Sequence, residues 1–386
     1  MTLNEELQSL LAPYQAGEEK YAVHAVDVLL DMAIRRQASD LHLIPDKTPN
    51  GLIPYFRIDG VLEAADRIAG GVNIVTRLKV VANLLTYRTD VPQEGRVKGE
   101  PTDSEIRVST FPTVHGEKAV VRFFVGSGEY RTIEDLGYDS EIQNSIRNIL
   151  EQTSGLLLTC GPAGSGKTTM LYAAIRHILT TSVSLRSICT LEDPVEAILP
   201  GISQSAIKPE SDFTYERGLI SLMRQDPDVI MVGEIRDKQT AGIVFQASLT
   251  GHLVLSTFHA GTAAAALGRL ADMKIEPYIL RSGLSAVLAQ RLLRKSCQCR
   301  QAEASPCQEC RMTGYSGRIV VAEMLRIEHS EITNAILEKK DVQFLERAAL
   351  SSGMIPMLQQ AQKMVESGQT TTEECYRVFG SESLRS

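Results

Sequence analysis

A chain of 386 residues with a net charge of −7 at neutral pH is larger than one ordinary compact domain and lacks the basic excess that grips duplex DNA. No apolar run is long enough for a helix to cross a bilayer. Residues 1–20 are acidic, without the basic-then-apolar layout of a signal peptide. The expectation is a two-domain cytoplasmic protein with no transmembrane segment and no direct nucleic-acid contact, reaching a membrane only through partners.

Residues 1–20 read as a loosely held acidic lead-in. Over 21–38, Val23, Val26, Leu29, Leu30 and Ala33 recur at helical spacing. Strands are predicted at 40–44, 53–58 and 61–64, the last two joined by the turn pair Asp59-Gly60, and a second helix at 73–85. Alternation at 105–111 and 117–124 predicts paired strands, with Pro112 and Gly116 marking their connection. This gives an N-terminal α+β domain over 21–125. Gly126-Ser127-Gly128 opens a linker over 126–132, since two glycines and a serine supply flexibility and no core.

Beyond the linker, residues 133–386 read as an α/β domain. Short strands, apolar along their length, fall at 155–159, 187–191, 229–232 and 252–256 and alternate with helices. That pattern suits a parallel sheet buried on both faces. After about residue 277 the chain reads as mainly helical, interrupted by a four-cysteine segment over 296–312.

Between the first of these strands and a helix lies Gly161-Pro162-Ala163-Gly164-Ser165-Gly166-Lys167-Thr168, followed by Thr169. It matches G-x-x-x-x-G-K-[ST] in full. Glycines let backbone N–H groups wrap a phosphate, Lys167 reaches the β- and γ-phosphates, Thr168 offers a hydroxyl to Mg²⁺, and the helix points its positive end at the anion. ATP and Mg²⁺ are the ligands expected. Hydrolysis also needs a carboxylate to aim water. Two acidic groups follow strands, where ligands of parallel sheets gather. One is Glu192-Asp193-Pro194-Val195-Glu196. The other is Gly233-Glu234, a Walker B-like strand end with glycine in the usual aspartate position. Glu192 is assigned as the water-activating base and Glu234 to the Mg²⁺ shell, directly or through water; the roles are exchangeable.

Four motifs occur in order: the P-loop, Thr190-Leu-Glu-Asp-Pro-Val-Glu196, Arg224-Gln-Asp-Pro-Asp228 running into Gly233-Glu-Ile-Arg-Asp237, and Thr250-Gly-His-Leu-Val-Leu-Ser-Thr-Phe-His259. Together they resemble the Walker A, Asp box, Walker B and His box of the type II secretion and type IV pilus assembly ATPases, over about residues 38–379. The resemblance implies a RecA-type P-loop ATPase core preceded by a smaller PAS-like α+β domain. It also implies a homo-hexameric ring whose ATP turnover works on an inner-membrane platform protein. His259 takes the γ-phosphate-sensing role, ahead of His252. Arg107 and Arg122, with Arg96 behind them, are the arginines implied to reach the nucleotide when the domains close. After His259 the chain reads Ala260-Gly-Thr-Ala where the family commonly has a polar Thr-Asn pair. A competence-type DNA-uptake ATPase and a non-hydrolysing nucleotide-dependent scaffold stand as alternatives.

Cys297, Cys299, Cys307 and Cys310 crowd into one segment, and in a reducing compartment such a cluster reads as a metal site. Four thiolates fill a tetrahedral Zn²⁺ shell and leave no position for water, so the zinc expected is structural. Assembly and secretion ATPases commonly carry such a site after a Gln-Arg-Leu run, here Gln290-Arg291-Leu292. The first cysteine pair has one intervening residue where two are usual.

Overall fold

The computed structural model describes residues 2–15, 17–18, 20–97, 106–123, 132–301, 307, 309–328 and 330–380. The expected Gly126-Ser127-Gly128 linker lies outside them. The chain divides into two compact units, Met1–Gly126 with Cys297–Gly317, and Ser127–Ser296 with Arg318–Ser386.

The first unit contains α1 (Leu3–Leu11), α2 (Tyr21–Arg35), β1 (Asp40–Pro45), β2 (Gly51–Ile58), β3 (Val61–Ala64), β4 (Ile68–Ala69), α3 (Gly71–Val81), β5 (Gln93–Val97), β6 (Ile106–Thr113) and β7 (Gly116–Phe123). The N-terminus departs from the loose lead-in expected. Thr2 and Glu5 form a reciprocal capping box, and Leu7 and Leu11, one turn apart, are buried in the unit's core. The overall acidity of the stretch masked this short apolar stripe.

The sheet runs β3-β2-β1-β7-β6-β5, with β4 pairing to β2, and every pairing within it is antiparallel. Asp59 and Gly60 both take positive φ, as a tight β2–β3 hairpin requires. Pro112 lies within β6 opposite Glu117, so the β6–β7 turn is Val114-His115. Alternate residues Leu41, Leu43, Phe56, Val108 and Val121 share a core with Leu29 and Met32 of α2 and Ile74 and Leu78 of α3. Lys79 of α3 is fully buried, donating to both oxygens of Glu117 (2.7 and 2.9 Å) and to the Arg88 carbonyl (2.6 Å).

The second unit contains α4 (Ser140–Leu150), β8 (Gly155–Cys160), α5 (Lys167–Thr181), β9 (Ile188–Glu192), β10 (Ser203–Ala206), α6 (Tyr215–Leu222), β11 (Val229–Val232), α7 (Lys238–Leu249), β12 (Leu253–Phe258), α8 (Ala263–Asp272), α9 (Pro277–Gly283) and β13 (Leu284–Ser296). Then come β14 (Tyr315–Arg326), α10 (Ser330–Leu337), α11 (Val342–Ser351), α12 (Met357–Glu366) and α13 (Thr372–Phe379). Its sheet runs β10-β9-β11-β12-β8-β13-β14, with parallel neighbours from β10 through β13. Strands β8, β9, β11 and β12 are buried along their whole length.

The region after residue 277 is not mainly helical. β13, Leu-Ser-Ala-Val-Leu-Ala-Gln-Arg-Leu-Leu-Arg-Lys-Ser, is rich in helix formers, yet it pairs in parallel with β8. Val287 and Ala289 enter the core on one side of the sheet, Ala286 and Leu288 the core on the other. Burial on both faces outweighs an intrinsic preference of a few tenths of a kcal/mol per residue, about what separates these residue types. The four-cysteine segment, expected within the C-terminal domain, groups with the first unit. There Arg311 Nη2 reaches the carbonyl of Arg35 at the end of α2, 3.5 Å away.

Candidate functional site

β8 feeds the P-loop and α5 leaves it, with Lys167 as the first helical residue. Gly161 has φ 155°, and a Cβ there would lie 2.5 Å from the Gln290 carbonyl and 2.4 Å from Ser165 Oγ. Only glycine fits so close an approach. The loop is braced from behind by Gln290 of β13, whose Nε2 donates to the Ser165 carbonyl (2.7 Å) while its Oε1 accepts from the Tyr138 hydroxyl. Ser165 Oγ is buried with no hydrogen-bond partner among the described residues. In front of the loop lies a cavity of about 260 Å³ lined by Gly164, Lys167, Thr168 and Thr169, with Leu136, Leu292 and Val320 as apolar wall. Lys167 Nζ rests on the carbonyls of Gly161 (2.9 Å) and Pro162 (2.8 Å). Burial pulls its ammonium below the usual lysine range, opposed by Cys160 and by the carboxylates of Glu234 and Glu196.

Those two carboxylates flank the loop. Glu196 lines the cavity, and its Oε1 lies 3.4 Å from Thr168 Oγ1. Glu234, beyond β11, pairs with Arg236, and its Oε2 stands 3.5 Å from His259 Nε2. Arg236 also reaches Asp193 at 3.5 Å. Glycine precedes Glu234 because a Cβ at Gly233 would lie 2.8 Å from the Tyr215 hydroxyl.

Glu192 is placed differently from the expectation. It is the last residue of β9, in register with Ala206 of β10, and only 2 % exposed. Thr190 Oγ1, Gln204 Nε2 and the Tyr172 hydroxyl all donate to its carboxylate. Its acceptors are engaged and its side chain is buried in the sheet. The acid at the cavity is Glu196, four residues on. Glu196 stood in the quoted motif, but composition does not distinguish three acids within five residues. The signal available was the rule that ligands gather outside the strand ends.

His259 is half-exposed beside Glu234, and its carbonyl accepts from Arg269. His252 Nδ1 meets the Ala247 carbonyl near the end of α7 (3.0 Å). Arg107 and Arg122 stand opposite each other on β6 and β7 of the first unit. They belong to a row across the sheet's other face, Arg57, Asp40, Arg122, Arg107 and Arg96, each in register with the next. Arg122 Nε donates to Asp40 Oδ1 (2.9 Å), Arg57 Nε lies 3.6 Å from Asp40 Oδ2, and Arg107 lies 3.8 Å from Glu94.

The sulfurs of Cys297, Cys299, Cys307 and Cys310 all lie within 4.8 Å of one another. Cys297 and Cys307 are 3.8 Å apart and Cys299 and Cys310 3.3 Å apart. Tetrahedral zinc with bonds of about 2.3 Å sets its sulfurs roughly 3.8 Å apart, so the donor set fits that ion.

A P-loop braced against a mostly parallel sheet, with carboxylates at the strand ends, defines a nucleotide-binding protein with a RecA-type α/β core and a smaller α+β, PAS-like unit. The family model described as "Type II/IV secretion system protein" matches residues 15–377, and the chain belongs to that family. It is 42 % identical to type II secretion system protein HxcR of Pseudomonas aeruginosa, over 92 % of this chain and 77 % of that one. It is 37 % identical to type II secretion system ATPase E of Vibrio cholerae, over 88 % and 73 %. Among solved structures, the ATPase DotB of Yersinia pseudotuberculosis shares the fold, with a TM-score of 0.71 at 20 % identity over 97 % of this chain and 96 % of that one.

Proposed function

We propose that this protein is a magnesium-dependent ATPase. It acts as a homo-hexameric motor on the cytoplasmic side of the inner membrane, driving assembly of a type II secretion pseudopilus or type IV pilus through a platform protein. The observation that carries the reading is the approach of Glu196 to Thr168 at the mouth of the P-loop cavity. It sets a carboxylate beside the hydroxyl that would hold a cation between the phosphates. Secretion relatives at 42 % and 37 % identity support the biological setting. Among the described residues no helix is long and apolar enough to cross a membrane.

In this reading the backbone of residues 161–169 and Lys167 hold the phosphates. Thr168, with Glu234 acting through water, would hold Mg²⁺; hydroxyl and carboxylate oxygens are the hard donors that ion takes. When bound, the ion neutralises charge on the β- and γ-phosphates. Glu196, in place of Glu192, aims the attacking water. His259 senses the γ-phosphate through Glu234, and Arg107 and Arg122 supply positive charge in the transition state. The four cysteines would hold structural zinc; a purified protein without one zinc per chain removes that part.

The test is phosphate release from MgATP by wild type, Lys167→Ala and Glu196→Gln. Turnover is expected to fall by roughly a hundredfold or more in each variant, the scale of losing an electrostatic or general-base contribution. Equal, negligible release from all three favours a scaffold.

A further inference from the structure

The buried Glu192 carboxylate is the end of a hydrogen-bonded path that leads back to the cavity. Tyr172, on the helix immediately after the P-loop, donates its hydroxyl to Glu192 Oε2 (2.5 Å). The tyrosine's own hydroxyl oxygen accepts from the backbone N–H groups of Glu196 (3.2 Å) and Ala197 (3.3 Å). A phenol has one proton and two lone pairs, and here all three are engaged. Burial, reinforced by the Glu192 carboxylate, holds this phenol above its ordinary range, so it remains a donor.

The second carboxylate oxygen, Oε1, accepts from Thr190 Oγ1 (2.5 Å) and Gln204 Nε2 (3.0 Å). Gln204 in turn donates to the Ala197 carbonyl (3.1 Å) and accepts from the Leu199 N–H (2.6 Å). The segment 196–199 carries no regular secondary structure to fix it; its backbone polar groups are instead taken up by Tyr172 and Gln204. Both of those side chains are oriented by one carboxylate.

We propose that Glu192 is a positioning residue. Through Tyr172 and Gln204 it fixes the 196–199 loop, and so sets where the Glu196 carboxylate stands against Thr168. This rests on the reading of Glu196 as the water-aiming carboxylate. Its consequence is that removing the tyrosine hydroxyl damages catalysis only by way of Glu196 and leaves nucleotide binding alone.

The experiment measures ATP turnover and ADP affinity for wild type, Tyr172→Phe, Gln204→Leu, Glu196→Gln and the double variant Tyr172→Phe/Glu196→Gln. Single-turnover conditions allow residual rates to be read. Tyr172→Phe is expected to lower kcat about 10- to 100-fold, the scale of one or two buried hydrogen bonds lost from a transition-state geometry. Its ADP dissociation constant stays within about twofold. Gln204→Leu moves kcat in the same direction, which keeps the idea testable if Tyr172→Phe folds poorly. On the Glu196→Gln background the tyrosine change adds less than about twofold, because groups acting as one unit are not additive. Losses that multiply in the double variant overturn the proposal, as does weakened ADP binding at unchanged kcat. A wild type that hydrolyses no ATP overturns the ATPase reading and this inference with it, whereas active wild type with multiplicative losses overturns only this one.

Discussion

The two sheets of this protein each contain seven strands, yet they present chemistry in opposite ways. The first is antiparallel with a core on one face, so every second residue of each strand points away from that core, and a row of charge can be written across five strands in register. The second is parallel over most of its width, and its four central strands, β9, β11, β12 and β8, are buried on both faces and offer no surface. The candidate site residues stand where those strands stop: Gly161 after β8, Glu196 beyond β9, Glu234 beyond β11 and His259 beyond β12. Covering one face makes a sheet a platform, and covering both makes it an edge.

The strongest way to break the comparison is to disturb what holds the platform together. Lys79 is fully buried with Glu117 at its head. Lys79→Ala leaves an uncompensated carboxylate inside the first unit and is expected to destabilise it by about 3–5 kcal/mol. Replacing the pair together, Lys79→Met with Glu117→Leu, recovers most of that loss. Thermal unfolding of wild type and the two variants decides; a double variant as destabilised as Lys79→Ala means that the unpaired carboxylate is not the cause.

Next in size is the arginine row. Neighbouring side chains in register sit about 5 Å apart, where like charges repel; Asp40 partly offsets Arg57 and Arg122, and Glu94 lies near Arg107. Such a row suits a face that meets an anion. Arg107→Ala and Arg122→Ala are each expected to lower ATP turnover by about a hundredfold, below the 10³–10⁵ reported for single dedicated arginines because two share the task. Melting temperature stays the same or rises for Arg107→Ala as repulsion is relieved, whereas Arg122→Ala also removes the ion pair to Asp40 and is expected to lower it. Unchanged turnover in both variants makes the row a solvated surface and removes the platform's chemical role.

How far the sequence discloses this division depends on which force decides each element. β8, β11 and β12 each carry an apolar run between helices, Leu156–Leu158, Val229–Val232 and Leu253–Leu255, and only a doubly covered strand satisfies such a run. The P-loop is legible because its glycines answer to backbone needs: Gly161 to a close approach, Gly164 and Gly166 to positive φ. β13 is hidden because Leu, Ala, Arg and Lys favour a helix, and only the neighbouring β8 makes a strand of them. Glu192 and Glu196 are separable only once β10 is known to pair with β9 through Ala206 and Glu192. Had that pairing stopped one residue earlier, Glu192 would lie outside the sheet. The arginine row is legible as alternation on single strands, but the register that aligns them is a tertiary fact.

The smallest effect expected is at the rim of the nucleotide edge. Glu134 lies two residues before the cavity wall at Leu136 and pairs with Arg147 of α4. Hydrogen bonding to that guanidinium, helped by the backbone, lowers the Glu134 carboxyl to about 2 from an ordinary 4.5. A carboxylate whose pKa falls on folding contributes stability that is present above the unfolded value and disappears as pH drops through the folded one. The window here is therefore about pH 4.5 down to 2. Because Glu134 is half-exposed, solvent screens the pair and its share is well under what the shift alone implies. Glu134→Gln is expected to cost little at pH 7, well under 1 kcal/mol on the scale of exposed pairs at roughly 0–1, and to flatten the acid limb of the stability–pH curve slightly. Chemical denaturation of both proteins at pH 7, 4 and 3 reads it: the gap between them should narrow as the pH falls. A gap that widens toward acid contradicts the sign and shows that the pair is not what depresses this carboxyl.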